Sequence, residues 1–362
     1  MKPIWEWIKR SLSRFVPDHV HDPFGLVRRM LASGKRAAFF TLWLTGLGVL
    51  LTPVDLLLQF VERASRKGAK GARERAARAG PFLIVCGPAR SGTTLVYQVL
   101  AENLDVAYVR NFTVMFSRSP VLATRLFARR KSQQQADSGH ANYENYYGKT
   151  SGMQAPSEAN HLWNQWTATD VSGFRTRLTD DGAARMADFL TRFSLSAERP
   201  VLCKNNNVNA FADAIDANLD DCHFICLRRE PLYLAQSLLR ARQEINGDIE
   251  QSYGVVDTHE KGDASDPVAQ VVKQVRYLDR LAEEQQQRVG RDRFWIVDYE
   301  DFCRDPNALV HRVRKEILGE GSADVRPSAA IPPFENTNRD TDKTLLSAIR
   351  RALDDDGISP SA

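Results

Sequence analysis

Residues 87–94 read Gly-Pro-Ala-Arg-Ser-Gly-Thr-Thr, and their types and spacing are well suited to chemistry. Gly87 and Gly92 bracket a cation, Arg90, while Ser91, Thr93 and Thr94 add hydroxyls. Glycine adopts backbone conformations closed to other residues, so such a loop can turn several N–H groups toward one spot. A helix beginning at Thr93 adds the positive end of its dipole there. That spot suits an anionic ester, usually a phosphate. The spacing is close to G-x-x-x-x-G-K-[ST], the loop that holds nucleoside triphosphates. Position 93 is Thr, however, where that pattern carries the Lys that reaches the β- and γ-phosphates. The cation sits inside the loop instead, which suits one phosphate plus a group transferred beside it. A ligand-free, Gly-rich turn between strand and helix is the plain alternative.

The elements that must position these residues lie on either side. Phe82–Cys86 is a short apolar run, as expected of a strand buried on both faces. Thr93–Leu104 has helical spacing, with Leu95, Val99 and Leu100 on one side. A strand followed by a polar turn then recurs. Val201–Cys203 ends at Lys204-Asn205-Asn206-Asn207, and Phe294–Val297 precedes Asp298-Tyr299-Glu300-Asp301. Cys222–Leu227 runs into Arg228-Arg229-Glu230-Pro231 and a helix carrying Leu234, Ser237, Leu238 and Leu239. Proline is natural in that first turn, and an arginine at a strand end offers a fork matched to a phosphate dianion. Ala155-Pro156-Ser157-Glu158 precedes a helix through Leu162, Trp163 and Trp166, with Ser157 a candidate N-cap. Glu158 in the first turn complements the helix dipole or acts as a general base.

Val106–Val109 is expected to be a second strand, and Phe112–Arg130 an amphipathic helix with a basic face. Helices are also expected over Gly182–Leu195, Pro267–Arg288 and Leu345–Leu353, with Asp305-Pro306 capping another. Lys131–His140 and Gly247–Asp266 are polar loops. The aromatic stretch Tyr143, Tyr146, Tyr147, Trp163 and Trp166 suits stacking on sugar faces and equally an ordinary core. Together these predict an α/β class, with a parallel sheet flanked by helices and the ligand at the carboxyl ends of its strands.

GPARSGTTL resembles the loop of sulfotransferases that use 3′-phosphoadenosine 5′-phosphosulfate (PAPS), often written P-[RK]-S-G-T-T. The resemblance runs from Phe82 to the C-terminus and is most specific at the loop. It implies a P-loop-like sulfotransferase architecture, bacterial in type, in which Gly87, Arg90, Ser91, Gly92, Thr93 and Thr94 hold the 5′-phosphosulfate. Ala155–Glu158 resembles a Pro-x-Glu element found after the loop in several bacterial sulfotransferases. Lys204 is similar to a Lys that lies beside the sulfuryl group, an ordinary loop Lys being the alternative. Arg229 with Ser237 resembles the family's 3′-phosphate site, and Tyr299 its adenosine side. Arg339 is a candidate to close over the 3′-phosphate. The implied reaction is in-line sulfuryl transfer from PAPS to an acceptor hydroxyl or amine, releasing PAP, with no metal required. Arg90 and the loop N–H groups would stabilise charge on the leaving group. The resemblance does not supply the base. Tyrosyl-protein sulfotransferases have acidic residues where this chain has Arg110-Asn111-Phe112, and no His matches that of the cytosolic aryl enzymes. Glu158 is the first candidate and His161 the second.

A chain of 362 residues can hold one large domain plus an appendage. The net charge of +4 calls for no nucleic-acid partner, and nothing in the sequence fixes an oligomeric state. Cys86, Cys203, Cys222, Cys226 and Cys303 show no paired spacing, which points to a reducing compartment without structural disulfides. The histidines are scattered and form no metal-ligand pattern. Residues 1–80 stand apart. Ala37–Val54 is uncharged, and as a helix would rise about 27 Å, the lower limit for a bilayer core. The apolar run continues to Val61 and is flanked by Lys35 and Arg36 before and by seven Lys or Arg between Arg63 and Arg78 after. Basic residues prefer the cytoplasmic side, and Pro53 interrupts the run. The expectation is an interfacial or re-entrant hairpin over residues 37–61 with both ends cytoplasmic. A single span and a buried core helix pair are the alternatives. The run starts late for a signal peptide. With the boundary near Gly80, residues 81–362 form the sulfotransferase-like domain. The membrane segment and the aromatic stretch favour a glycan, glycolipid or other lipid-linked acceptor. A P-loop kinase or NTPase would have to borrow Lys204 or an Arg for the missing Lys, and a non-catalytic membrane-anchored nucleotide-binding protein is a further alternative.

Overall fold

The computed structural model describes residues 23–67, 80–128, 143, 145–259, 266–319, 330–338 and 342–357. Lys131–His140, Arg339 and most of the basic run after residue 66 lie outside the described residues. In chain order the helices are α1 (Pro23–Ala32), α2 (Arg36–Leu50), α3 (Thr52–Lys67), α4 (Thr93–Asn103), α5 (Asn111–Val114), α6 (Pro120–Ala128), α7 (Asn160–Trp166), α8 (Asp180–Ala197), α9 (Ala212–Asp216), α10 (Pro231–Ala241), α11 (Pro267–Val289), α12 (Tyr299–Arg304), α13 (Pro306–Glu316) and α14 (Lys343–Asp355). The strands are β1 (Phe82–Cys86), β2 (Asn145–Tyr146), β3 (Lys149–Thr150), β4 (Thr167–Thr169), β5 (Arg175–Leu178), β6 (Val201–Lys204), β7 (Cys222–Arg228) and β8 (Phe294–Asp298).

Four strands form one parallel sheet in the order β6-β1-β7-β8, while β2–β3 and β4–β5 are separate antiparallel pairs. All five residues of β1 are apolar and buried, as a strand covered on both faces requires. Phe82, Ile84 and Cys86 turn with Phe224 and Phe294 toward α8 and α9, where Phe193 and Ile215 wait. Leu83, Val85, Ile225 and Leu227 face the other layer, against Val96 and Leu100 of α4 and Val313 of α13. A third cluster ties α10, α11 and α14 through Leu238, Val275 and Ile349. Register then sets the site. Val85 pairs with Lys204, Cys86 with Cys226 and Arg228 with Asp298. The loop 87–92, Lys204, Arg229 and Tyr299 therefore all leave the sheet at its carboxyl edge.

Three local expectations are corrected. Val106–Val109 is not a strand; Ala107 makes a single parallel bridge to Val201, and the chain turns away at Arg110 to pair with Pro156. Phe112–Arg130 is not one helix but α5 and α6. Between them Asp55 takes the Arg118 N–H at 3.2 Å and the Ser119 hydroxyl at 2.9 Å, and Pro120 opens the new helix. Ser157 does not cap α7. The cap position is Ala159, at φ 51°, so Glu158 stands ahead of the helix and lines a cavity instead. Of the aromatic stretch, Trp166 lies in the core, Trp163 packs in the core and also reaches the cavity lining, and Tyr143, Tyr146 and Tyr147 line the cavity.

Among the described residues no single helix is long and apolar enough to cross a membrane. α2 and the first part of α3 pass together, bent by 65° at their junction. Pro53 falls in the first turn of α3, which proline tolerates. The pair is anchored to the body by buried carboxylates: Asp55 as above, and Glu62, which accepts the Leu122 N–H at 3.0 Å. Leu44 packs against Met115 and Phe116, and Ala37 and Ala38 against Met30 and Ile245.

Candidate functional site

The loop after β1 is shaped by two close approaches. A Cβ at Gly87, φ 124°, would meet the Leu227 carbonyl oxygen at 2.5 Å, so this turn lies directly on β7. At Gly92, φ 92°, a Cβ would stand 2.5 Å from Tyr299 Cε2 and nearer still to Cδ2. Ser91 donates both its N–H, at 3.2 Å, and its hydroxyl, at 2.8 Å, to the Pro88 carbonyl. It ties the loop to itself rather than offering a side chain to a ligand. The N–H groups in the first turn of α4 have no intrahelical acceptor. They open on a cavity of about 470 Å³ whose lining includes Arg90, Lys149, Glu158, Lys204, Arg229 and Tyr299.

In the lining of that cavity Lys204 Nζ lies 3.2 Å from Glu158 Oε1, with Lys204 only 2 % exposed. Gly148, at the β2–β3 turn, is pressed against this pair. A Cβ there would lie 3.4 Å from Glu158 Oε2 and 3.7 Å from both Lys204 Nζ and Thr94 Oγ1. Lys149 adds a second ammonium. Burial lowers its pKa, Glu158 opposes that shift and the Lys204 charge adds to it. Thr93 Oγ1 donates to Asn206 Oδ1 at 2.9 Å.

The loop cation reaches outward. Arg90 Nε donates to Ser237 Oγ at 3.2 Å, and its guanidinium lies 4.4 Å from the Tyr147 ring centroid, a cation–π distance. The Tyr147 hydroxyl donates to Glu244 at 2.5 Å. Arg229 donates from Nη1 to the Arg90 carbonyl at 2.8 Å and from Nε and Nη2 to Asn338 Oδ1 at 2.9 and 2.6 Å. It also lies 5.0 Å from the Tyr299 ring centroid. Burial lowers its pKa, from a value so high that the guanidinium stays charged. Asn338 is steadied by Glu300 at 2.8 Å, and the Tyr299 hydroxyl by Thr337 at 3.1 Å.

The structure thus brings together Arg90, Thr93, Thr94, Glu158, Lys204, Arg229 and Tyr299, with Ser237 joined through Arg90. His161 is not among the residues lining the main cavity. It lines a neighbouring space of about 30 Å³ with Thr41, Lys149 and Glu158. Burial, and then the Lys149 charge, pushes its pKa down to about 3. Arg339 lies outside the described residues. Lys149, Asn206 and Asn338 carry no individual role in the sequence, and Tyr147 is read there only as part of the aromatic stretch. The polar run at 205–207 and the aromatic stretch are the sequence signals that touch them. The assembled site offers several cations and a helix N-terminus for an anionic donor, with the Glu158 carboxylate beside Lys204. That arrangement can hold a dianion and take a proton from a nucleophile.

Comparison with known proteins agrees with this chemistry. The model of the sulfotransferase family matches residues 81–317. Solved structures that the chain matches include sulfotransferase STF9 from Mycobacterium avium, 16% identical over 80% of each chain with a TM-score of 0.46. Sulfotransferase STF1 from Mycobacterium tuberculosis H37Rv is also 16% identical, covering 96% of this chain and 89% of its own at a TM-score of 0.43. The sulfotransferase domain of the Synechococcus PCC 7002 olefin synthase is 15% identical, over 75% of this chain and 88% of its own, at 0.38. A search of curated proteins by sequence gives no match. Because the family match takes in well over half the chain and every strand of the parallel sheet, the chain belongs to the sulfotransferase family.

Proposed function

We propose that this enzyme moves the sulfuryl group of PAPS onto a hydroxyl of a glycan, glycolipid or other lipid-linked acceptor, by in-line displacement with release of PAP. It works at the cytoplasmic face of a membrane that it touches through residues 37–61. The observation that carries the reading is the Lys204–Glu158 pair, 3.2 Å apart and beside Thr94 at the head of α4. Family membership removes the support for a kinase or a non-catalytic binding protein.

The residues present fit the donor. Gly87 and Gly92 let the loop lie directly against β7 and Tyr299, and Arg90, Lys204 and Arg229 supply positive charge around the cavity. PAPS, when bound, supplies the activated sulfuryl group and a 3′,5′-diphosphate leaving group. Arg90 and the first-turn N–H groups of Gly92, Thr93 and Thr94 hold the 5′ side and stabilise charge that builds there. Ser91 keeps the loop in shape. Lys204 neutralises charge on the transferred group, and Glu158 accepts the acceptor's proton. Arg229 grips the 3′-phosphate, with Asn338 giving way, and Ser237 joins it across Arg90. Tyr299 flanks the adenosine. Glu158 ranks above His161 as base because only Glu158 lines the main cavity. The apolar faces left exposed on α2 and α3 support contact with a membrane.

Calorimetric titration with PAP, against ATP as competitor, tests the donor site on wild type and Arg229→Ala. Loss of charge-assisted bonds worth roughly 1.5–3 kcal/mol weakens PAP binding by on the order of 10–100-fold. ATP binding tighter than PAP and indifferent to Arg229 would overturn the assignment. In a turnover assay Glu158→Gln costs about 10²–10⁴ in rate. Intact turnover in Glu158→Gln, together with its loss in His161→Ala, would transfer the role of base to His161.

A further inference from the structure

One short helix separates the catalytic cavity from an apolar outer surface. Leu26 and Met30 of α1 line the cavity, while Phe24, Val27 and Leu31 of the same helix are exposed, Phe24 at 87 %. α2 repeats the division. Thr41 faces the cavity, and Phe39, Trp43 and Leu50, spaced one helical face apart, are exposed. α3 continues with Val54, Leu57, Phe60 and Val61 outside and Asp55 and Glu62 buried inside. Of the large apolar side chains exposed among the described residues, only Leu126, Val171 and Ile249 lie elsewhere, so exposure of this kind belongs to α1–α3. Exposed Arg28, Lys35 and Arg36 border these faces. Apolar faces rimmed by cations match an anionic leaflet and suit a helix lying in the plane of the interface.

The cavity itself has two unlike ends. Its donor end is the loop with Lys204 and Glu158. Toward α1 it is walled by Leu26, Met30, Ile245, Tyr146 and Tyr253, which pack as one cluster. α1 is fixed in this place by Arg29, whose Nη2 donates to the Ile245 carbonyl at 2.8 Å. A polar reaction centre grading into an apolar wall, with the outer side of that wall built for a bilayer, fits an amphiphile. We propose that α1–α3 dock on an anionic membrane leaflet and that the acceptor is a hydroxyl-bearing lipid. It enters past α1 and α2, with its headgroup at Glu158 and its chain against Met30. This rests on the sulfuryl-transfer reading for the chemistry at Glu158, but not for the docking.

The test uses the full chain with methionines replaced by a photoreactive diazirine analogue, and vesicles of phosphatidylcholine with about a quarter phosphatidylglycerol. Vesicle co-sedimentation reads docking, and lipid adducts mapped by mass spectrometry read entry. The expected result is a lipid adduct at Met30 about tenfold above that at Met186, which is fully buried and far from any interface. Trp43→Glu with Leu57→Glu, both on exposed faces, should lower sedimentation and the Met30 adduct about tenfold while PAP affinity is unchanged. Sedimentation without an adduct at Met30 overturns lipid entry, and absence of sedimentation overturns the whole proposal. Failure of the unmodified chain to bind PAP falls on the sulfuryl-transfer reading instead and is read in a separate titration.

Discussion

Gly92→Ala is the sharpest perturbation of the donor loop. The added Cβ would lie 2.5 Å from Tyr299 Cε2 and closer to Cδ2, well inside van der Waals contact. Tyr299 cannot swing aside freely: it is buried, its hydroxyl is bonded to Thr337, and the Arg229 guanidinium rests on its ring. Gly92 also has φ 92°, where an L side chain costs about 1–2 kcal/mol. Overpacking adds roughly 1–3 kcal/mol. The sum, about 2–5 kcal/mol, is relieved either by shifting the loop or by lowering the stability of the fold. If the loop shifts, PAP affinity falls by on the order of 30- to 4,000-fold. Calorimetric titration with PAP and thermal unfolding together measure where the strain goes. Gly152→Ala is the control. Its φ is 97°, but a Cβ there meets nothing within 4 Å, so it should lose only the backbone part in stability and leave PAP binding alone. A Gly92→Ala protein that binds PAP within a factor of about three and melts with the wild type would refute the close-packed loop.

The buried pair gives a double-mutant prediction. Lys204→Met leaves Glu158 without its 3.2 Å partner and should cost about 3–5 kcal/mol in urea unfolding. Adding Glu158→Gln should recover more than half of that, whereas simple additivity of the two losses would mean the pair is not coupled. His161 supplies a pH signature. Its folded pKa is about 3 against 6.5, so between those values only the unfolded chain takes up the proton. Its contribution is complete above pH 6.5 and is lost as pH falls toward 3. Relative to His161→Leu, wild-type stability should therefore drop by about 1.4 kcal/mol per pH unit below pH 6. Asp279, whose pKa burial raises to about 6, titrates in the same range in both proteins and cancels in the difference. Parallel stability profiles for the two proteins would show that His161 is not desolvated.

The strands of the sheet can be read from the sequence because each is short, apolar and ends in a polar turn, and β1 has the bounds its apolar run gives. The parallel register is why residues after those strands meet. Arg90 is recognisable from its loop, and Lys204, Arg229 and Tyr299 from the resemblance to sulfotransferases. Their partners are not. Local rules make Ser157 a helix cap, yet the Ser157 N–H is held by the Val109 carbonyl at 2.8 Å and Pro156 bridges Arg110. That tertiary pairing keeps residues 156–157 extended, and the helix can only begin later. Asp55 reads as a polar break in an apolar run, but its carboxylate is the buried acceptor that splits residues 112–130 into two helices. β2 and β3 have two residues each, too few for any period to show. The hairpin turn that sets Gly148 on Glu158 and brings in Lys149 therefore leaves no pattern to find. A strand end tells where a charge will stand; what it will stand against depends on chain brought from elsewhere, and Arg229, sharing its donors between Arg90 and Asn338, shows both halves of that division in one residue.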